Sequence, residues 1–241
     1  QGMGGVELKK DIIAHLGTQI LFTETIKRPF TASMDSSRIL TAIAVKDAKA
    51  LEKSMAMVHE RFLGGSDASN KREFAGTVLY RIGSVPFFIP GMGAMPMADV
   101  ETGGQDAVQT AFAFTSGYML IGGEATIENV LRMGSNRQAQ TLQRQPWMVR
   151  CLKIVPEKAG VMSFSNDQAG MEYVWWLFKN SENTTEQLQA MVFADIFGDW
   201  ADFKLLPEFD KVKKFFGVSS SYMLSRPDGF YFESVAMEPT N

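Results

Sequence analysis

The stretch Val108–Gly122, VQTAFAFTSGYMLIG, decides how this chain folds. Its two halves, Val108–Thr115 and Tyr118–Gly122, are rich in residues that suit a pleated sheet, and Ser116-Gly117 sits where a tight bend belongs. That reads as a β-hairpin, and a helical segment, Glu124–Met133, follows it directly.

Upstream, strands are expected near Gln19–Glu24 and Arg38–Val45, separated by a loop with Pro29, Ser33, Asp35, Ser36 and Ser37. Before them, Leu8, Ile12, Ile13 and Leu16 make a short amphipathic helix, with Gly17 as its left-handed C-cap. Asp47 caps a second helix whose buried stripe is Leu51, Met55, Val58 and Phe62, ended by Gly64-Gly65. Further strands are read at Phe74–Ile82 and Phe87–Ile89. Residues 90–107, dense in Gly and Pro, form a long loop of the kind that is often functional.

Downstream, Gln138–Leu152 reads as helix, broken or restarted at Pro146. Gly160–Ser165 reads as a strand. Asp167–Lys179 is a helix with apolar residues on every side, which predicts burial on more than one face. Helices at Glu186–Phe197 and Phe209–Phe216 follow. The chain ends in a hairpin, Val218–Ser225 and Phe230–Met237, turned by Pro227-Asp228-Gly229. Strands that come in hairpins with helices inserted singly favour α+β: an antiparallel sheet covered by helices, not a doubly wound parallel one. The repeated strand–strand–helix order hints at a weak internal duplication. Residues 1–241 read as a single α+β region with a sub-boundary near 134–138.

The composition narrows the function classes. With 45% apolar residues, 18 Phe and a net charge of -3, the chain can build a sizeable core and is not a disordered polymer. Its basic residues are scattered, and Lys211, Lys213 and Lys214 are matched by Glu208 and Asp210, so no basic field offers itself to nucleic acid. No window approaches the length of apolar chain needed to span a membrane. Cys151 is the sole cysteine and reads as a small buried hydrophobe, which excludes an internal disulfide framework.

Three stretches carry a resemblance. They are the opening Gly5-Val-Glu-Leu-Lys-Lys-Asp-Ile-Ile-Ala-His-Leu-Gly17, the strand-to-helix join Thr41-Ala-Ile-Ala-Val-Lys-Asp-Ala-Lys-Ala-Leu-Glu-Lys53, and the ending Leu206-Pro-Glu-Phe-Asp-Lys-Val-Lys-Lys-Phe-Phe-Gly217 with its continuation to Phe230. Together they are similar to large exported proteins of planctomycete-type bacteria, grouped as a domain of unknown function. The resemblance implies that the chain is the C-terminal part of a longer protein and works outside the cytoplasm, in the periplasm or cell envelope. It implies no activity and no site residues.

Catalytic motifs are near misses. Gly91-Met-Gly-Ala-Met-Pro96 opens like a dinucleotide loop, but Pro96 stands in place of the third glycine. His59-Glu60 opens like a zinc-protease motif, but Leu63 stands where the second ligand belongs. His15 and His59 are the only histidines, so a metal site or standard triad is not expected, and no cofactor is implied.

Two clusters stand as candidates. Met92, Met95 and Met97 read as adaptable apolar plugs or a partner-contact surface, or as a set of thioethers for Cu(I). Asp195, Asp199 and Asp202 fall on one helical face, followed by Glu208 and Asp210, as a solvated face, a Ca²⁺ site or an acid–base pair. The run Tyr173, Trp175, Trp176 and Phe178 reads as a buried helix, with a carbohydrate platform as the alternative. Asn183-Thr-Thr185 fits a glycosylation acceptor. The leading expectation is a non-enzymatic extracytoplasmic scaffold or partner-binding protein, pairing with another protein or with itself as a homo-oligomer. The alternatives are a carboxylate-dependent hydrolase using Asp195–Asp210 and a small-molecule binding protein.

Overall fold

The computed structural model describes residues 5–30, 37–63, 70–82, 88–89, 93–94, 109–135, 141–180 and 205–239. The fold is α+β, and the chain divides into two compact units: Gln1–Thr25 with Ser37–Arg137, and Ile26–Ser36 with Gln138–Asn241.

The first unit is built on an antiparallel sheet. In chain order its elements are β1 (Leu16–Ile26), β2 (Ser37–Val45), α1 (Ala48–Val58), β3 (Lys71–Phe74), β4 (Thr77–Ile82), the two-residue pair β5 (Phe88–Ile89) and β6 (Gly93–Ala94), β7 (Thr110–Thr115), β8 (Tyr118–Gly123) and α2 (Glu124–Ser135). The six-stranded sheet runs β1-β2-β8-β7-β4-β3, so β1 and β3 are its edges. The registers Leu79↔Ala113↔Leu120 and Tyr80↔Phe112↔Ile121 place alternate residues on opposite faces. On one face Leu40, Leu79, Ala111, Ala113 and Leu120 pack with Ile127 of α2. On the other, Tyr80 and Phe112 stack at 4.7 Å and receive the edge of His59, which follows α1.

Both ladder turns flanking the core use positive φ at their two central residues: Ser116 with Gly117, and Ala75 with Gly76. The second was not expected. A single strand over Phe74–Ile82 is in fact a hairpin, because Ala75 takes a left-handed conformation that nothing in its side chain announces. The start of the chain also differs. Leu8–Ile12 is a π turn and Ile13–His15 a 3-10 turn, and Leu16 already belongs to β1. Gly17 is therefore not a C-cap. It lies in the strand, where an added Cβ would come within 2.8 Å of the Ala44 side chain. The reason for glycine is close approach of β1 and β2.

In α1 the Asp47 side chain accepts from Ala50 N at 3.0 Å, as a cap should. Leu51 and Val58 are buried as expected, but Phe62 is 55% exposed and His59 is buried in its stead. The π turn His59–Leu63 that continues α1 accounts for this, since a wider turn rotates the following residues to another face.

The second unit comprises α3 (Pro146–Leu152), β9 (Val161–Ser165), α4 (Asp167–Asn180), α5 (Phe209–Val212), β10 (Val218–Arg226) and β11 (Gly229–Met237). Pro146 starts α3 at a position that needs no N–H, the restart expected there. The sheet order is β11-β10-β9, antiparallel throughout. Met148 and Cys151 of α3 pack on Val218, and the Ser220 hydroxyl donates to Cys151 O at 3.0 Å. Cys151 is fully buried, as expected of a small hydrophobe.

Candidate functional site

The site is a cleft of about 320 Å³ in the second unit, lined by Phe30, Glu172, Trp175, Trp176, Lys179, Asn180, Glu208 and Phe209. Its floor is α4. Four residues of that helix, Glu172, Trp175, Trp176 and Lys179, recur at offsets 0, 3, 4 and 7, the spacing that keeps side chains on one face. The aromatic run was expected to be buried on more than one face. No residue of α4 is fully buried, and two of its aromatics line the cleft instead.

Each aromatic wall is held in place. The Trp175 indole N–H donates to Pro207 O at 2.8 Å, and its ring packs on Phe209 and Phe216, which stack at 6.0 Å with planes 9° apart. Phe30, from the strip between β1 and β2, lies 5.5 Å from the Tyr173 ring and 5.9 Å from Trp176. Arg28 in the same strip pairs with Glu172 and lies over the Phe30 ring at 5.3 Å.

The polar rim is already neutralised. Glu172 is bound by Arg28 and Glu208 by Lys179, while Asn180 donates to Trp176 O at 2.9 Å. Both carboxylates here are engaged by cations in ion pairs open to solvent, and the aromatic rings supply the rest of the lining.

A second polar cluster braces the terminal hairpin. Glu233 accepts from the Tyr222 hydroxyl at 2.5 Å and from Tyr231 at 2.7 Å. These two hydrogen bonds keep the Glu233 carboxyl below the usual carboxylate range. The same carboxylate pushes the Tyr222 hydroxyl up to about 12. The Arg226 guanidinium lies 4.3 Å from the centre of the Tyr231 ring.

The residues singled out from sequence fare differently. Met92, Met95 and Met97 lie outside the described residues, as do Asp195, Asp199, Asp202, the helix expected at 186–197 and Asn183. Of the acids beyond Asp202, Glu208 joins the cleft, and Asp210 pairs with Lys213 at 2.7 Å, which holds its carboxyl low. His59 is fully buried, with Nε2 2.6 Å from Arg81 O, and Glu60 binds Lys71 at 2.5 Å. Their neighbours are those of a core position and its flank. Among the described residues no group of His, Cys, Asp and Glu is arranged to hold a metal, and no helix is long and apolar enough to cross a membrane.

Sequence reasoning had Trp175 and Trp176 in view but missed Phe30, Glu172, Lys179, Asn180 and Phe209. The offsets along α4 were a signal for Glu172 and Lys179; for Phe30 there was none. Compared with known proteins, the chain matches no family model, no curated protein and no solved structure.

Proposed function

We propose that this chain is a non-enzymatic binding protein of the cell envelope, and that the cleft on α4 seats an aromatic side chain from an extended segment of a protein partner. The observation that carries the reading is the seat Phe30 already occupies. A strip reading Arg28-Pro29-Phe30 places its ring against Tyr173 and Trp176 and its guanidinium on Glu172. The chain thus supplies an example of what α4 accepts. The remaining hollow, bounded by Trp175, Trp176 and Phe209, is at the small end of ligand sites and suits one ring rather than a large cofactor. Placement outside the cytoplasm draws its support from the resemblance of the three structural joins.

N-acetyl-tyrosinamide titrated into the labelled protein, with the tryptophan indole N–H resonances followed by NMR, tests this. The resonances of Trp175 and Trp176 should move in a saturable way while that of Trp147 stays still, and Trp176→Ala should abolish the response. Silence at saturating probe, or a response to a disaccharide and none to the amide, overturns the reading.

A further inference from the structure

The sequence could not say which strands lie at a sheet edge; the fold does. β1 is an edge strand eleven residues long, and among the described residues nothing pairs with its outer side. Natural edges are guarded by lysine, proline, bulges or brevity. Leu16–Ile26, LGTQILFTETI, has no lysine and no proline and is twice the usual strand length of about five or six residues. Its middle is apolar on both faces: Ile20 is 68% exposed, Leu21 47% and Phe22 48%. Leu21 points to the face opposite Ile20 and Phe22, so both faces of the strand stand about half open there.

We propose that β1 pairs with β1 of a second copy of this chain, antiparallel, about a two-fold axis through Leu21. The argument is register. A two-fold perpendicular to a continuous sheet must preserve faces, so the axis has to pass through a residue that faces itself. Centring on Leu21 pairs Leu21 with Leu21, Ile20 with Phe22, Gln19 with Thr23, Thr18 with Glu24, Gly17 with Thr25, and Leu16 with Ile26. Apolar meets apolar, polar meets polar, and no like charges stand opposite. Centring on Ile20 sets Leu21 against Gln19 and Phe22 against Thr18. Centring on Phe22 sets Ile20 against Glu24 and Leu21 against Thr23. Only the Leu21 axis matches the pattern, and Leu21 is also the midpoint of Leu16–Ile26, so the matching register overlaps the whole strand.

Full overlap makes about ten main-chain hydrogen bonds, the number a typical protein interface carries. Three exposed apolar side chains per copy are few for a permanent dimer, so the pairing is reversible and concentration-dependent. It rests on β1 alone and stands or falls separately from the cleft.

Light scattering over a concentration series should show a shift from one chain mass to two. Leu21→Lys, which sets two ammonium groups opposite each other across the axis, should weaken association at least about tenfold while leaving the circular dichroism unchanged. Under mild oxidation Leu21→Cys should cross-link to its own copy. Thr25→Cys should not, because its two copies would lie about 26 Å apart in this register. Gln19→Cys mixed with Thr23→Cys should cross-link, and neither should alone. A single chain mass at every concentration, or cross-linking of Thr25→Cys as fast as Leu21→Cys, overturns the proposal.

Discussion

Replacing Phe112 probes the centre of the first unit. Its side chain is 1% exposed, stacks on Tyr80 with planes 7° apart, and meets the edges of His59 at 5.9 Å and Phe114 at 6.0 Å. β7 lies between β8 and β4, so the surroundings cannot close over a lost ring without moving both neighbours. Phe112→Ala should therefore cost about 3–5 kcal/mol, the range for deleting a fully buried aromatic. A double-mutant cycle of Phe112→Leu with Tyr80→Leu isolates the stacked pair and should return a coupling of about 0.5–1.5 kcal/mol. Urea unfolding followed by far-ultraviolet circular dichroism measures both. All four tryptophans lie beyond residue 137, so their emission tracks the second unit and serves as an internal reference. A cost below about 1 kcal/mol for Phe112→Ala, or zero coupling in the cycle, would refute the packing described for this face.

Three more outcomes follow from the same structure. Glu124, nearly buried, binds Arg81 at 2.8 Å and Arg72, which also pairs with Glu128, at 2.9 Å, so Glu124→Gln should lower stability by about 1–3 kcal/mol in urea titrations; no loss would contradict the pairing of Glu124 with Arg81. The Tyr80 hydroxyl is pushed up to about 12, first by burial and then by the neighbouring Glu52 charge. Its contribution is complete below pH 10 and lost as pH rises toward 12, so wild type should lose stability over that window more steeply than Tyr80→Phe, measured by thermal melts at stepped alkaline pH. Cys151 should resist a thiol reagent in the folded protein and react promptly in denaturant; rapid labelling of the native chain would contradict its burial.

What could be read beforehand was what neighbours in sequence decide. Asp47 announces α1 because a cap acts within three residues. Ser116-Gly117 announces the β7–β8 hairpin because glycine is cheap at positive φ. Ala75-Gly76 carries the same glycine at its second turn position, so a local signal was there; it was weaker because alanine, unlike serine, has no side-chain polar group that marks a turn. Gly17 misled because glycine serves equally as a helix stop and as a gap between strands; only β2, more than twenty residues on, tells the two apart. The cleft was half visible for the same reason. Its floor is one helix, legible from spacing, whereas Phe30 and Arg28 arrive from a distant segment, and nothing local ties Arg28 to a glutamate 144 positions away.

That distant strip has a consequence for how the chain can be divided. Residues 26–36 belong with 138–241, although both strands that flank them belong to the other unit. The backbone passes from one unit to the other after Thr25, after Ser36 and again after Arg137. No single cut releases either unit whole. A fragment starting at Gln138 would lack the ring that fills its own aromatic seat, and one ending at Arg137 would carry Phe30 with nowhere to put it. During synthesis the strip emerges long before α4 exists, so the second unit completes itself by reaching back to chain already made. The two units are therefore not cassettes that recombination can shuffle one at a time: inheritance of the second requires a piece embedded in the first.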